Sequence, residues 1–199
     1  MTVLLSIGGH DLKASNHKEY SRLDPVTGAV ASVSAAATLD DVVSATTAAQ
    51  YAFPAWAQTG PIERRNLLNK TADIMESKQD DFIAAMITET GATGPWAGFN
   101  VMLAAGHIRE AAALTTQIGG EVIPSNKPGT LAMSVNKPKG VCLAIAPWNA
   151  PIILGARAIA TPLAGGNTVI FKSSEFCPLT HRLIPRSRFS SRCDQPNFK

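Results

Sequence analysis

Three groups of residues near the end of the chain have the types and spacing to do chemistry. Asn149 follows a short apolar run and precedes a segment of helical character. An amide there presents N–H donors at the mouth of a helix, whose dipole favours developing negative charge, and so suits an oxyanion. A helix cap or a turn residue has the same spacing. Lys172 and Glu175 follow the next apolar run. A lysine donor beside a carboxylate acceptor could hold ribose hydroxyls, or form a solvated ion pair at a strand end. The cysteines, Cys142, Cys177 and Cys193, are three and widely spaced, so they make neither a disulfide framework nor a C-x-x-C motif. Cys142 reads as an inert core thiol. Cys177 stands before Pro178, at a helix start whose dipole could lower its pKa, but with no positioned base. His10, His17, His107 and His181 lack metal-ligand spacing.

Such residues need a scaffold, and the flanking pattern supplies one. Val141-Cys142-Leu143-Ala144-Ile145-Ala146 is apolar throughout, as in a parallel strand covered on both faces. A turn through Pro147-Trp148-Asn149-Ala150-Pro151 leads into a helix over 152–163, Gly165-Gly166-Asn167 ends it, and Thr168–Phe171 is a second buried strand. The order is β-α-β, the unit of a doubly wound sheet, and ligands sit beyond the carboxyl ends of its strands. Both the Trp148-Asn149 turn and Lys172–Glu175 fall there.

Upstream, Val3–Ile7 reads as a strand closed by Gly8-Gly9, and 20–36 as two strands around Asp24-Pro25-Val26-Thr27-Gly28. Four helices follow. The first starts at Asp40-Asp41, with Val42, Val43, Ala45, Ala49, Ala52, Phe53 and Trp56 at helical spacing; the second follows Pro61. The third ends at Gly91, and the fourth runs over 95–117 to Gly119-Gly120. Leu131–Asn136 returns to strand.

Composition limits the function. The 199 residues are 45% hydrophobic and 17% charged, enough for a real core. The first residues carry only a short apolar stretch before two glycines, which fits neither a signal peptide nor a membrane span. A soluble cytoplasmic protein without membrane partners is expected. Of the net charge of +3, residues 182–199 contribute +4, from five basic side chains against Asp194, and residues 1–181 carry −1. Basicity therefore belongs to the tail, and nucleic-acid binding loses its support.

Ala146-Pro147-Trp148-Asn149-Ala150-Pro151, then Arg157 through Gly165-Gly166-Asn167 to Lys172-Ser173-Ser174-Glu175, resembles the first cofactor-binding βαβ unit of the aldehyde dehydrogenase superfamily. Trp96-Ala97-Gly98-Phe99-Asn100-Val101, Arg109-Glu110-Ala111-Ala112 and 116–124 further resemble the branch oxidising vanillin and salicylaldehyde. The resemblance implies an α/β fold: an N-terminal β-hairpin and helical layer over 1–129, a bridging strand segment over 130–138, and an incomplete Rossmann-like parallel sheet over 139–184. It implies oxidation of a small aromatic aldehyde to the acid. Asn149 matches the oxyanion asparagine, Lys172, Ser174 and Glu175 the ribose side, and the main chain of Ala146, Pro147 and Trp148 the nicotinamide side. The Glu175 carboxylate would accept ribose hydroxyls and repel a 2′-phosphate, favouring NAD, with NADP possible. Trp96, Phe99 and Met102 suit an aromatic pocket wall, and are equally ordinary core residues. Complete members form homo-oligomers through the bridging arm.

The resemblance covers less than half of a family chain, to about Ile184. The cysteine nucleophile, the glutamate base and the pyrophosphate turn of the family pattern have no counterpart in these residues, so a partial site, inactive alone, is expected. Pro185 should break the last helix, and the Ser/Arg-rich residues 185–199 read as a basic, disordered tail of out-of-frame or intron-derived sequence. Two strands cannot cover the sheet, so an exposed apolar edge and face, with low solubility or dependence on a partner chain, are expected. The alternatives to an enzyme are a non-catalytic remnant or regulatory subunit pairing with full-length dehydrogenases, and a basic-tail interaction protein.

Overall fold

The computed structural model describes residues 2–186. Its N-terminal residues form two small sheets. Strands β1 (Thr2–Val3), β5 (Val30–Ala35) and β4 (Glu19–Leu23) make one, with β1 parallel and β4 antiparallel to β5. Strands β2 (Leu5–Ile7) and β3 (His10–Leu12) make a hairpin across Gly8 and Gly9. The single strand expected over 3–7 is thus divided at Leu4 between two sheets. The expected β4–β5 turn forms as its residues dictate: Asp24 Oδ1 accepts from the main-chain N–H of Val26 at 2.8 Å, and Gly28 takes a φ of 73°.

Helix α1 (Leu39–Gln58) begins with a capping box in which Thr38 and Asp41 exchange side-chain and main-chain hydrogen bonds. Its expected apolar stripe is only partly buried. Val42 and Val43 are exposed, because the helix docks through the Ala49 and Trp56 side. Helices α2 (Pro61–Ser77), α3 (Gln79–Thr90) and α4 (Gly94–Leu114) follow, with Gly91 in the left-handed region ending α3. Leu68, Met75, Phe82, Met86, Val101 and Ile108 form the centre of the core between them. An antiparallel ribbon of β6 (Gly120–Ile123) and β7 (Ala132–Val135) stands outside that core, with Val122, Met133 and Val135 exposed.

The βαβ unit forms as expected. Strands β8 (Val141–Ile145) and β9 (Thr168–Lys172) pair in parallel with Ile145 opposite Lys172, and α5 (Pro151–Ala164) crosses between them. The covered-on-both-faces reading of β8 fails: Leu143 and Ile145 are 66% and 64% exposed, while Ala144 is buried on the helical side. This is the bare apolar face that two strands were expected to leave. Helix α6 (Pro178–Arg186) closes the described chain and extends one residue past Pro185, where a break was expected. A proline there removes a single hydrogen bond from the last turn, where the helix is ending anyway. The rest of the expected tail, Cys193 included, lies outside the described residues. No helix among the described residues is long and apolar enough to cross a membrane.

Candidate functional site at the strand ends

Parallel pairing brings the two chemical segments together. Because Ile145 and Lys172 are register partners, the loop after β8 and the loop after β9 leave the sheet side by side. Between them lies a concavity of about 290 Å³ lined by Ile145, Ala146, Pro147, Trp148, Lys172, Ser174, Glu175 and Phe176. Six of these are the residues the sequence singled out for cofactor contact.

Each lining residue is held differently. Lys172 Nζ lies 3.2 Å from Glu175 Oε2, and both side chains are more than half exposed. The Glu175 main-chain N–H first, and Lys172 second, hold the Glu175 carboxyl below its ordinary range, so at neutral pH the pair is an ammonium beside a carboxylate. Ser174 is 5% exposed and turned into its own loop, where its Oγ accepts from the Phe176 N–H at 3.2 Å and its carbonyl from the Cys177 N–H at 3.3 Å. Ser174 therefore shapes the loop. Trp148 packs against Phe176 across the concavity, with ring centroids 6.1 Å apart.

Asn149 does not line the concavity. It is exposed, in the bend just before α5, and the helix is capped at Ala150 without any side-chain hydrogen bond. The cap reading of Asn149 is thus not what the structure contains, and its amide is presented to solvent beside the first turn of α5.

The cysteines divide. Cys142 lies on β8 and is half-buried. Cys177 is fully buried, and burial, followed by the nearby Glu89 carboxylate, pushes its thiol up to about 12. The helix-start dipole is outweighed, and the expected lowering does not occur. A base does lie close to it, contrary to expectation: His181 Nδ1 is 3.8 Å from the sulfur. That nitrogen already accepts from the Ser174 N–H at 3.0 Å, and Nε2 faces the Pro151 carbonyl at 3.1 Å. Burial holds His181 down to about 4, so it is neutral, protonated on Nε2, and not available to take the thiol proton. Among the described residues, no group of three or more His, Cys, Asp or Glu could hold a metal ion.

Several supports had escaped the sequence reading. Glu89, at the end of α3, is completely buried. Its carboxylate accepts from the main-chain N–H groups of Leu179 and Thr180, each at 2.8 Å, from the Thr180 hydroxyl at 2.8 Å, and from Ser32 Oγ at 2.6 Å. A carboxylate from another helix thus caps α6 at its positive end. Arg22 donates from Nε to the Glu89 carbonyl at 2.9 Å and sits over the Phe176 ring, 5.2 Å from its centroid. Phe176 could have been suspected from its neighbour Glu175; Arg22 and Glu89 lie far upstream and carry no local signal. At the other end of α5, Trp56 Nε1 and Arg64 Nε donate to the carbonyls of Leu163 and Ala164, each at 3.1 Å.

This geometry has relatives. Residues 12–187 match the family model of the aldehyde dehydrogenase family. The vanillin dehydrogenase of Pseudomonas sp. (strain HR199 / DSM 7063) is 58% identical over 182 residues, which cover 92% of this chain and 38% of that protein. The crystal structure of a salicylaldehyde dehydrogenase from Pseudomonas putida G7 complexed with salicylaldehyde superposes with a TM-score of 0.93 at 47% identity, over 98% of this chain and 40% of that one. An NAD-dependent benzaldehyde dehydrogenase from Corynebacterium glutamicum superposes with a TM-score of 0.88 at 29% identity, over 93% of this chain and 41% of that one. The 199 residues therefore span about two fifths of the length of the proteins they match.

Proposed function

We propose that this chain, which belongs to the aldehyde dehydrogenase family, carries the oxyanion loop and the ribose-binding pair of an NAD-dependent dehydrogenase acting on aromatic aldehydes. The observation that carries the reading is the concavity at the ends of β8 and β9, where Ala146, Pro147 and Trp148 face Lys172 and Glu175. An ammonium and a carboxylate 3.2 Å apart and open to solvent match a vicinal diol, since Lys172 can donate to one hydroxyl while Glu175 accepts from both. That donor set fits a nucleotide ribose. When bound, NAD supplies the acceptor for the aldehyde hydride.

The residues act by binding and by charge. Asn149 presents amide N–H groups beside the first turn of α5, where the helix dipole adds positive potential for an oxygen that becomes negative under nucleophilic attack. The ionised Glu175 would face a 2′-phosphate, so a ribose with a free 2′-hydroxyl is preferred. For the substrate, the Trp96 and Phe99 rings stack 5.6 Å apart with an interplanar angle of 21°. Both are 42% exposed, with Met102 at 58%. These are surface residues of α4 and not part of its core, and they offer a flat shelf for an aromatic ring.

Neither described cysteine is an activated nucleophile. Cys177 is a buried neutral thiol next to an engaged histidine, and Cys142 belongs to a strand. With neither described thiol activated, the described residues taken by themselves are read as recognising the cofactor without turning over aldehyde. The two free thiols among the described residues suit a reducing compartment. A second reading, a regulatory subunit that pairs with a full-length dehydrogenase, is favoured by the exposed Leu143 and Ile145 on β8.

The test is direct. NAD is titrated calorimetrically into the full chain and its Glu175→Ala variant, and the chain is then incubated with vanillin or salicylaldehyde and NAD while NADH absorbance is followed. Binding abolished by Glu175→Ala, with no NADH formed, is the expected result. Binding indifferent to Glu175 would remove the cofactor reading; turnover at the rate of an ordinary dehydrogenase would remove the claim of inactivity.

A further inference from the structure

We infer that His181 is a positioning residue that sets the distance between the two loops of the proposed cofactor site. Its ring bonds the main chain of the β9–α6 loop and that of the first residue of α5, at the exit of the β8–α5 loop. Nδ1 accepts from the Ser174 N–H at 3.0 Å, inside the β9–α6 loop, and Nε2–H donates to the Pro151 carbonyl at 3.1 Å, where the β8–α5 loop enters its helix. The imidazole is fully buried and meets the edge of Phe171 at 5.1 Å between centroids, so ring rotation is blocked and both bonds are made at once. Ser174 lies two residues from Lys172 and one from Glu175; Pro151 lies two residues from Asn149.

The chemistry requires this ring in one protonation state. Only the neutral Nε2–H tautomer accepts at Nδ1 and donates at Nε2. The loss of the proton that would make imidazolium follows from its burial. His181 is itself fixed from below, because α6 starts on the Glu89 carboxylate and packs on α5 at Gly155, where an added Cβ would lie 2.5 Å from Ile184 Cδ1 and 3.7 Å from His181 Cδ2.

This inference rests on the proposed cofactor site, and the experiment separates the two. The chain has three tryptophans, and their indole N–H resonances in a ¹⁵N spectrum report three places. Trp148 reports the contact with Phe176 across the loops, Trp56 the far end of α5 through Leu163, and Trp96 the surface of α4. In His181→Asn and His181→Ala chains the Trp148 resonance should move while those of Trp56 and Trp96 stay. The NAD dissociation constant should rise about tenfold, one hydrogen bond's worth. An unmoved Trp148, or all three resonances moving together, would overturn the inference by making His181 irrelevant or merely part of the packing. Trp148 moving with NAD affinity unchanged would overturn the positioning role. If the unaltered chain binds no NAD, the cofactor reading fails, and the Trp148 resonance alone decides whether His181 holds the loops.

Discussion

Removing the Glu89 carboxylate should strongly destabilise this fold. The side chain is completely buried and receives four hydrogen bonds of 2.6–2.8 Å. In Glu89→Ala the Ser32 and Thr180 hydroxyls can rotate toward other acceptors. The N–H groups of Leu179 and Thr180 cannot, because the first turn of α6 fixes them. Two main-chain donors left buried cost about 1–3 kcal/mol each, or about 2–6 kcal/mol together, centred on about 3–5. The expected destabilisation is therefore about 3–5 kcal/mol, a large share of the ~5–15 kcal/mol that holds a domain folded. Glu89→Gln keeps one acceptor oxygen but turns an NH₂ group toward an N–H donor, so it should cost about 2–3 kcal/mol. Urea unfolding followed by circular dichroism measures both. A Glu89→Ala midpoint equivalent to less than about 1 kcal/mol of loss would refute the view that this carboxylate anchors α6.

The other predictions concern the same corner of the molecule. Gly155→Ala puts a methyl 2.5 Å from Ile184 Cδ1 and 3.4 Å from Phe171 Cζ; with Ile184 fully buried, the overpacking should cost about 1–3 kcal/mol in a thermal melt. Cys177, buried with its thiol pushed up to about 12, should resist iodoacetamide at pH 7 in the native chain and react in urea, which peptide mass mapping reads. His181 is held down to about 4 from an ordinary value near 6.5. The unfolded chain therefore binds the proton first, and stability present above pH 6.5 is lost as pH falls toward 4. A chain about 2 kcal/mol less stable at pH 5 than at pH 7 is expected, and His181→Asn should flatten that part of the profile.

Local signals made the helices and the βαβ unit legible. Thr38 and Asp41 announce α1, Gly91 ends α3, and the Asp24–Gly28 turn is built from its own side chains. Strand β6 was missed because all four of its residues are exposed and its structure comes from pairing with β7. The first strand divides at Leu4 because β1 joins the distant β5, which local pattern cannot reveal. In the site, Lys172, Glu175 and the 146–148 main chain were legible because parallel pairing of two adjacent strands fixes where their ends go. Ser174 lines the same concavity while its polar atoms bond within its own loop, a pairing that only the folded loop reveals. The supports Arg22 and Glu89 converge on the site only through tertiary packing. Cys177 shows the limit of a dipole argument: the same helix start that favours a thiolate is buried, and burial decides.

The site is held by helices more than by its sheet. Strands β8 and β9 fix the direction of the two loops, but one face of β8 is bare. Rigidity comes from the other side. Helix α5 is clamped at its carboxyl end by Trp56 and Arg64, whose donors satisfy the carbonyls of Leu163 and Ala164 that a helix end leaves unpaired. Its amino end is tied through Pro151 to His181, and His181 is carried by α6, which Glu89 caps. Each helix is thus fixed at the end where its backbone groups would otherwise be orphaned, by side chains of α1, α2 and α3. Substitutions at Arg64 or Glu89, neither of which lines the concavity, should consequently loosen the loop spacing there, while exposed changes at Lys172 or Glu175 should alter ligand contact and leave the fold intact.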